Sequence, residues 1–568
     1  MLVGPLFCLF ELFVTAGTGA SPVQKVFDTS TVNSMSLSIP RQKHPIHLTI
    51  IGPRQLQGRF LHITDLHPDP FYVPGTSISK ACHRKIPKNE ENRAGYYGTP
   101  YSECDSPLTL TNYTLDFLED HWAGDVDFVV WTGDNARHEN DHKIPRTMNE
   151  LYEMNDALTK RMNDIFTRRG IPVIPSLGEH GFHAFRPNHI TNEFLEIWQS
   201  FIPFPYHQVF RQGAYFAVEV VPNALAVISL NTLYFYDAND AVCGCNYTSP
   251  EDPGNLEFAW LESQLKSFRK RGMQVWVTGH VPPSNYYPEC YVQYVDLALR
   301  FQDTIVGHLY GHRNADHFFF VEAKDMELTN KTKRASKRSD LYDSLLDDFA
   351  KLPKPKKTEL DEYAVINVSP SVVPNPYLPT FRIFTYNITG VDNALVFGGS
   401  DRQMNAINVR AERSFDQHQE EQRFELSECK DELYRNTSWE CQPPTSADAP
   451  SRVSRLWTPL GYAQYFIPHL KDANKFDDPE YKLEYTTMDA SLLLPREGQN
   501  RSSFWYPIPM RNLPKSIQNG KMKEKYFPYN MEDLTISSWL ELARRLGDSK
   551  ERRLREKFKE YMYLGGGE

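Results

Sequence analysis

The sequence predicts an α/β fold, and two observations support this prediction. Between residue 59 and about residue 400, short β-rich runs alternate with helical patterns, and each β-rich run ends in polar or glycine residues. Strands that alternate with helices indicate an α/β domain. In sheets of this kind, functional residues collect where strands end and loops begin. The chain has 568 residues, of which 40% are apolar, so it can bury a sizeable core.

The predicted elements follow one another in a regular order. The β-rich runs are RFLHITDLH, VDFVVWTGD, IPVIPSLG, QVWVTGHV and DTIVGHLYGH. Helical patterns lie between them at residues 111–122, 145–169, 191–201, 256–271 and 291–301. The segment YFAVEVVPNALAVISLNT predicts a β-hairpin that turns at Pro222 and Asn223. Two later runs, YAVINVSPSVV and TFRIFTYNIT, predict further strands.

Three segments fall outside this alternation. Residues from about 330 to 362 combine basic, proline-containing and acidic stretches, which is typical of a solvated, flexible insertion where proteases cut. Residues 401–568 are irregular and end in a basic, helix-like stretch, which predicts an extension packed on the core. Residues 1–20 predict a secretory signal peptide or, if it is not cleaved, a signal anchor in the membrane. A buried N-terminal helix is the alternative.

The cysteines and the glycosylation sequons agree with a secretory route. Seven cysteines follow the signal without zinc-finger spacing, so disulfides are expected. The candidate local pairs are Cys82 with Cys104 and Cys429 with Cys441. The candidate glycosylation sites are Asn112, Asn246, Asn330, Asn367, Asn387, Asn436 and Asn500. These features predict a glycoprotein of the secretory lumen.

The net charge limits the classes of partner. At −10 it argues against a general nucleic-acid binder, which would carry a basic excess. It does not argue against a polyanionic substrate, because a local basic pocket can coexist with an acidic total.

Asp and His residues recur where the predicted strands end. They are Asp65 and His67; Asp134, with Asn135, Arg137 and His138 close behind it; His280; and His308, His312, Asn314, Asp316 and His317. A single histidine at a strand end is usually structural, but the ends of four strands carry such residues in this chain. Imidazole and carboxylate are ligands for zinc, iron or manganese. Two such ions can polarise a phosphoryl group and generate a hydroxide nucleophile.

The order of these motifs resembles the calcineurin-like metallophosphoesterases over residues 59–320. Within that superfamily the chain is similar to the acid-sphingomyelinase-like branch, and most closely to the fungal endopolyphosphatases. The passages that carry this resemblance are HITDLHPDPFY, VVWTGDNARHEND, VTGHVPPS and GHLYGHRNADHF. The resemblance implies a sandwich of two mixed β-sheets flanked by helices, with an irregular C-terminal appendage. It also implies two divalent ions (Zn, Fe, Mn, Co or Mg) and a vacuolar location.

The resemblance assigns a role to each motif residue. Asp65 and His67 would bind one metal, Asp134 would bridge the two, and His280 and His312 would bind the second. Asn314 stands where the wider superfamily has a histidine ligand. Arg137 and His138 would bind phosphate oxygens, although Arg137 could instead form a salt bridge that holds its loop. His308 would support the ligands rather than bind metal.

One stretch, PSLGEHGFH, departs from the family pattern. The family has Asn after the glycine and an acid after the histidine, whereas this chain has Glu179, His180 and Gly181. Glu179 would replace Asn as a metal ligand, with His180 stabilising the leaving group. Alternatively, His183 or Asn188 completes the site. In a third interpretation the second metal binds poorly and activity is reduced or lost.

Three functions follow from these observations. The first is a metal-dependent endopolyphosphatase that cuts internal phosphoanhydride bonds of inorganic polyphosphate. The second is a sphingomyelinase-like phosphodiesterase, which the absence of a lipid-binding module before residue 59 disfavours. The third is a catalytically weakened relative that binds polyphosphate, and only the Glu179 region supports it.

Overall fold

Two mixed six-stranded β-sheets form the centre of the fold. The strands are β1 (Arg59–Ile63), β2 (Pro68–Asp69), β3 (Ser106–Pro107), β4 (Phe128–Trp131), β5 (Val173–Pro175), β6 (Phe216–Val221), β7 (Leu225–Ser229), β8 (Gln274–Thr278), β9 (Ile305–Tyr310), β10 (His317–Glu322), β11 (Tyr363–Val368), β12 (Thr380–Tyr386), β13 (Pro459–Phe466) and β14 (Lys482–Thr486). The first sheet has the order β14–β13–β12–β1–β4–β5, and the second has the order β10–β11–β9–β8–β7–β6. Each sheet combines parallel and antiparallel pairs.

Helices accompany these strands, as the sequence predicts. They are α1 (Leu108–His121), α2 (Met148–Ile165), α3 (His189–Trp198), α4 (His207–Gly213), α5 (Pro253–Lys270), α6 (Pro288–Arg300), α7 (Leu341–Ala350), α8 (Lys515–Gln518), α9 (Ile536–Gly547) and α10 (Arg552–Met562). The five helices predicted between strands are α1, α2, α3, α5 and α6, and the predicted hairpin is β6–β7. The predicted α/β fold with two mixed sheets is therefore confirmed.

The structure is a computed structural model that describes residues 55–179, 189–327, 340–391, 446–495 and 504–564. All of these residues belong to one compact unit that spans residues 53–568. The signal or anchor predicted at residues 1–20 lies outside the described residues. Within the described ranges, no helix is long and apolar enough to cross a membrane.

An aromatic cluster joins the two sheets. The ring of Phe60 in β1 stacks on Phe128 and Phe384 of the neighbouring strands, with ring centroids 4.5 and 5.0 Å away. Across the interface, Trp276 of β8 presents its edge to Phe60 at 4.9 Å. Burial of both faces explains why the β4 run, FVVW, is apolar throughout rather than alternating.

A buried polar network also connects the sheets. Arg382 of β12 forms an ion pair with Asp316, which directly precedes β10 of the other sheet. Gln464 of β13 donates to Asp316 at 3.0 Å and accepts from Arg382 at 2.7 Å. The phenol of Tyr485 in β14 also donates to Asp316. The network fixes the register of four strands from the two sheets.

The C-terminal part of the chain is more regular than the sequence predicts. Its strands β13 and β14 continue the first sheet, and β13 pairs with β12 over the whole length of β12. The boundary predicted near residue 400 therefore divides a single sheet. The basic stretch near the C-terminus forms two helices, α9 and α10, instead of one.

Part of the predicted flexible insertion is a packed helix. In α7 the side chains of Leu345, Leu346 and Phe349 are buried, and Phe349 stacks on Phe318 of β10 with ring centroids 5.0 Å apart. The prediction is wrong for this segment because the acidic residues of α7 face solvent while its apolar side joins the core. Residues 328–339 of the insertion lie outside the described residues.

Two disulfides lie within the described part of the chain. The predicted pair Cys82–Cys104 is confirmed, and Cys245–Cys290 is a pair that the sequence analysis missed. Cys429 and Cys441 lie outside the described residues.

The predicted glycosylation sites differ in accessibility. Asn112 and Asn246 are exposed and Asn387 is half-buried. Asn367 is 6% exposed inside β11, so its prediction as a glycan acceptor is wrong. The remaining candidates, Asn330, Asn436 and Asn500, lie outside the described residues.

Candidate metal centre

The predicted ligands come together where strands of both sheets end. Asp65 and Asp134 follow β1 and β4 of the first sheet, and Glu179 follows β5. His280 and His312 follow β8 and β9 of the second sheet. Parallel neighbouring strands end at the same edge, so their polar ends converge at the junction of the two sheets.

The first ligand group consists of Asp65, His67 and Asp134. Nε2 of His67 lies 3.5 Å from Oδ1 of Asp65 and 3.5 Å from Oδ2 of Asp134. One potential ligand atom from each residue lies within 4.8 Å of the others, which is close enough to hold one ion. All three residues are buried.

The second group consists of Glu179, His280 and His312. Oε1 of Glu179 lies 2.6 Å from Nδ1 of His312, and Oε2 of Glu179 contacts Nε2 of His280. Oδ2 of Asp134 lies 3.1 Å from Nε2 of His280, so Asp134 stands between the two groups. Glu179 thus lies among the candidate ligands, and its role as a metal ligand, the first of the three sequence interpretations, stays a prediction.

Backbone carbonyls fix the orientation of two ligand histidines. Nδ1 of His67 donates to the carbonyl of Ala136 at 2.9 Å, and Nδ1 of His280 donates to that of Thr132 at 2.6 Å. Each Nε2 then faces the carboxylates, where it can bind a cation once it has lost its proton. His312 has the opposite arrangement, with Nδ1 toward Glu179.

The clustered carboxylates change the proton affinity of these histidines. Burial alone would lower the pKa of His67, but Asp65, Asp134 and Asp105 raise it to about 9. Burial likewise opposes charge on His280, yet Asp134 and Glu179 raise its pKa well above the ordinary value. The site therefore accumulates negative charge that attracts cations.

The backbone around the candidate ligands adopts uncommon conformations and leaves little space between neighbouring segments. Residues Asp65, His67, Asp134, His312 and Asn314 all have left-handed conformations, with φ of 52°, 40°, 53°, 69° and 54°. Such conformations are uncommon outside glycine and cluster at functional sites. A Cβ atom at Gly178 would collide with Oδ1 of Asp134, and one at Gly311 would collide with Thr64 and Asp65. Only glycine fits at these two positions.

The structure places His138 beside the first ligand group. Its ring stacks on that of His67 with centroids 4.1 Å apart. Asp105 accepts hydrogen bonds of 2.6 Å from both Nδ1 and the backbone N–H of His138. The sequence analysis missed Asp105 because it precedes β3 and α1, whereas the motif residues follow strands.

Arg137 does not have the predicted phosphate-binding role. Its side chain is 1% exposed and pairs with Glu150, with Nε 2.6 Å from Oε1 and Nη2 3.1 Å from Oε2. Nη2 also donates to the carbonyl of Ile144 at 3.0 Å. The alternative interpretation, a salt bridge that holds the loop, is the one observed.

Arg146, which the sequence analysis missed, is a half-buried cation whose guanidinium donates to the carbonyl of Arg137.

Five further candidate residues have different outcomes. Asn314 donates from Nδ2 to the carbonyl of Asn375 at 2.9 Å, while its buried Oδ1 has no hydrogen-bond partner among the described residues. That oxygen is therefore suited to a cation, and its role as a ligand stays a prediction. His308 is buried beside Tyr294, 2.6 Å from its phenol, and burial lowers the pKa of His308 to about 3. His180, His183 and Asn188 lie outside the described residues.

The donor set fits divalent cations. It consists of three carboxylates and three imidazoles in two groups that share Asp134, which are the ligand types of zinc, iron and manganese sites. Without a cation, Asp65, Asp134 and Glu179 would face one another with only histidine protons between them. Two mixed sheets with such a centre at their strand ends define a metallophosphoesterase.

Comparisons with known proteins agree with this class. The family described as calcineurin-like phosphoesterase matches residues 58–313. A protein of Cryptococcus neoformans named endopolyphosphatase is 38% identical over 98% of both chains. Endopolyphosphatases of Schizosaccharomyces pombe and Saccharomyces cerevisiae are 30% and 29% identical, each over 90% of this chain and 86% of its own. The chain belongs to the calcineurin-like phosphoesterases and, among them, to the endopolyphosphatase family. It is a hydrolase that works with divalent metal ions.

Proposed function

We propose that this chain hydrolyses internal phosphoanhydride bonds of inorganic polyphosphate. The observation that carries this proposal is the complete pair of ligand groups around Asp134, in which Glu179 takes the position of the expected Asn. The names and high coverage of the similar endopolyphosphatases support the choice of substrate. Nothing in the described ranges favours the sphingomyelinase-like alternative.

Two divalent ions are part of the proposal. Asp65, His67 and Asp134 would hold one ion, and Glu179, His280 and His312 would hold the other, with Asp134 shared. When bound, such ions supply Lewis-acid charge that polarises a phosphoryl group and lowers the pKa of water. The candidate ions are Zn, Fe, Mn, Co and Mg, which metal analysis of the purified chain distinguishes.

The remaining residues of the site bind and orient the substrate. His138 is one-fifth exposed beside His67 and can contact phosphate oxygens through Nε2, since Nδ1 is held by Asp105. Arg146 takes the role first predicted for Arg137, because its guanidinium lies at the backbone of the same loop. His180 stays a candidate for stabilising the leaving group.

Glu179 provides the sharpest test of this function. The full chain is loaded with divalent metal, its bound metal is counted by mass spectrometry, and long-chain polyphosphate is followed on a gel. We expect two metal ions per chain and an early fall in chain length with little free phosphate, which marks internal cutting. Glu179→Ala should lower the metal content toward one ion per chain and the rate by about tenfold to a hundredfold.

Glu251→Ala is the matched control, because Glu251 is an exposed carboxylate ahead of α5. It should leave both metal content and rate unchanged. A wild-type chain that binds one ion and leaves polyphosphate intact would instead identify a weakened, polyphosphate-binding relative.

We also propose that the chain resides in the lumen of the secretory pathway, in the vacuole. The disulfides Cys82–Cys104 and Cys245–Cys290 fit an oxidising compartment, and the sequons at Asn112 and Asn246 are accessible to glycosylation. A glycosidase that removes N-linked glycans should lower the apparent mass of the expressed chain. A mass unchanged by that treatment would argue against passage through the secretory route.

A further inference from the structure

A basic surface covers α10 and a neighbouring segment of the chain. Residues 521–525 and 550–560 contain nine Lys or Arg and four Glu, in a chain whose net charge is −10. In α10 the side chains of Leu554, Phe558 and Tyr561 are buried, so most of its basic side chains face solvent. A local positive potential of this kind can attract a polyanion even to a protein that is acidic as a whole.

Direct contacts join the two stretches. Nη2 of Arg553 lies 2.6 Å from Oε2 of Glu524, and the phenol of Tyr561 donates to the carbonyl of Lys525 at 2.6 Å. The lysines on either side of Glu524 in the sequence therefore extend the basic face of α10. We call the combined region, residues 521–525 and 550–560, the α10 surface.

Most cations of the α10 surface have no counterion. Three of the nine, Arg553, Lys557 and Lys559, each have a carboxylate within 3.7 Å. The other six form no ion pair with any residue that the structure describes. They are Lys521, Lys523, Lys525, Lys550, Arg552 and Arg555. Cations without a counterion are available to bind an external anion.

The C-terminal end of α10 contacts the segment that carries part of the metal centre. The backbone N–H of Asp316, four residues after His312, donates to the carbonyl of Met562 at 3.1 Å. A further cation, Arg313, is exposed directly after His312. The helix has 11 residues, so the α10 surface extends about 16 Å from this contact.

We propose that the α10 surface is a second binding site for the polyphosphate chain, separate from the metal centre. This inference rests on the proposed function. An internal bond is cut only when phosphate units extend on both sides of the metal centre, so one arm of a long substrate lies over the protein beyond it. Each phosphate unit of that arm is negatively charged, and the unpaired cations can bind several units at once. The α10 surface therefore favours long chains over short ones.

The dependence on chain length tests this proposal. The triple variant Lys521→Gln, Lys523→Gln and Arg552→Gln removes three exposed cations that have no counterion. In the metal-loaded full chain, we expect KM for long-chain polyphosphate to rise about threefold to thirtyfold. KM for linear pentaphosphate, which is too short to extend along α10, and kcat for both substrates should stay nearly constant. Equal rises in KM for both substrates, or no rise for either, would overturn the proposal.

The triple variant Lys160→Gln, Lys266→Gln and Lys270→Gln is the matched control. These lysines are exposed on α2 and α5, and their replacement changes the net charge by the same amount. Both KM values should be those of the wild-type chain. If the control raised KM for long-chain polyphosphate as much as the α10 variant, total charge would be the cause and the proposal would fail.

A binding measurement does not depend on cleavage. Metal-free full chain is titrated into end-labelled, fluorescent long-chain polyphosphate, and anisotropy gives the affinity at several salt concentrations. We expect the α10 variant to bind about threefold to thirtyfold more weakly than the wild-type chain and the control, with a shallower salt dependence. Equal affinity of all three chains would reject the second binding site.

Vesicles of phosphatidylserine and phosphatidylcholine test the other polyanion that a basic surface could bind. Binding to these vesicles that only the α10 variant loses, with its polyphosphate affinity unchanged, would assign the surface to a membrane and overturn the proposal. If the wild-type chain leaves polyphosphate intact, the proposed function fails. The anisotropy titration then decides separately whether the α10 surface binds polyphosphate.

Discussion

At the metal centre, two histidines hold protons that a divalent ion must displace. The pKa of His67 is about 9 in the metal-free chain, and that of His280 is well above its ordinary value. A metal ion needs the neutral ring, so binding releases protons wherever the pH is below these values. The same raised pKa stabilises the metal-free chain fully below the ordinary value of 6.5, and this contribution disappears as the pH rises through about 9.

We therefore expect metal affinity to fall as the pH is lowered. Calorimetric titration of the metal-free chain with one divalent ion at about pH 7, in buffers of different ionisation enthalpy, should show release of at least about one proton per chain. The apparent affinity should increase between about pH 6 and about pH 8. A binding enthalpy that is the same in every buffer would contradict the proposed protonation of His67.

The sequence predicted most of the candidate metal ligands, but it did not predict which residues contact them in the folded chain. Asp65, Asp134 and His280 could be found because they follow apolar strands, and parallel strands end together. Asp105 could not, since only tertiary folding brings it to His138. The position of Arg137 in its sequence motif also could not reveal that its guanidinium faces Glu150 rather than the substrate.

At the scale of single elements, α7 shows how a charged segment can be essential to packing. Phe349 is 2% exposed and lies against Phe318, while α9 packs on the same helix. Phe349→Ala should lower the free energy of unfolding by about 3–5 kcal/mol, through lost burial and the cavity that remains.

Urea denaturation measures this effect, and Asp347→Ala is its control. Asp347 lies on the exposed side of α7, so its substitution should change stability by no more than about 0.5 kcal/mol. Equal stability of Phe349→Ala and the wild-type chain would mean that α7 is not part of the folded core.

The sequence analysis missed β13 for an identifiable physical reason. β13 carries a buried glutamine, Gln464, which bonds to Asp316, Arg382 and Glu484 inside the fold. A polar residue at an inward position breaks the apolar pattern by which β4 and β8 were recognised. Partners from distant parts of the chain compensate for its polarity, and local sequence contains no sign of them.

For the molecule as a whole, the ion pair between Asp316 and Arg382 contributes strongly to stability. Arg382 is 1% exposed, and Asp316 balances its charge. Asp316→Asn leaves a buried guanidinium without its counterion, so we expect a loss of about 3–5 kcal/mol of stability. The double variant Asp316→Asn with Arg382→Met should recover much of that loss, because both charges are absent.

Chemical denaturation of the three chains tests this prediction. Asp472→Asn provides the control, since Asp472 pairs with His469 at the surface and should matter by no more than about 0.5 kcal/mol. If Asp316→Asn were as stable as this control, the two sheets would not depend on the buried charge pair.

The order of strands in the first sheet has a consequence for synthesis. All candidate metal ligands precede residue 315, but β1 lies beside β12, and β12 lies beside β13, which begins at Pro459. A chain emerging from the ribosome therefore completes its ligand set long before the sheet that holds it. Until β12 appears, β1 presents an unpaired edge, and β12 in turn presents an unpaired edge that other chains can join until β13 appears. Premature termination near residue 400 should yield aggregates rather than a smaller working enzyme.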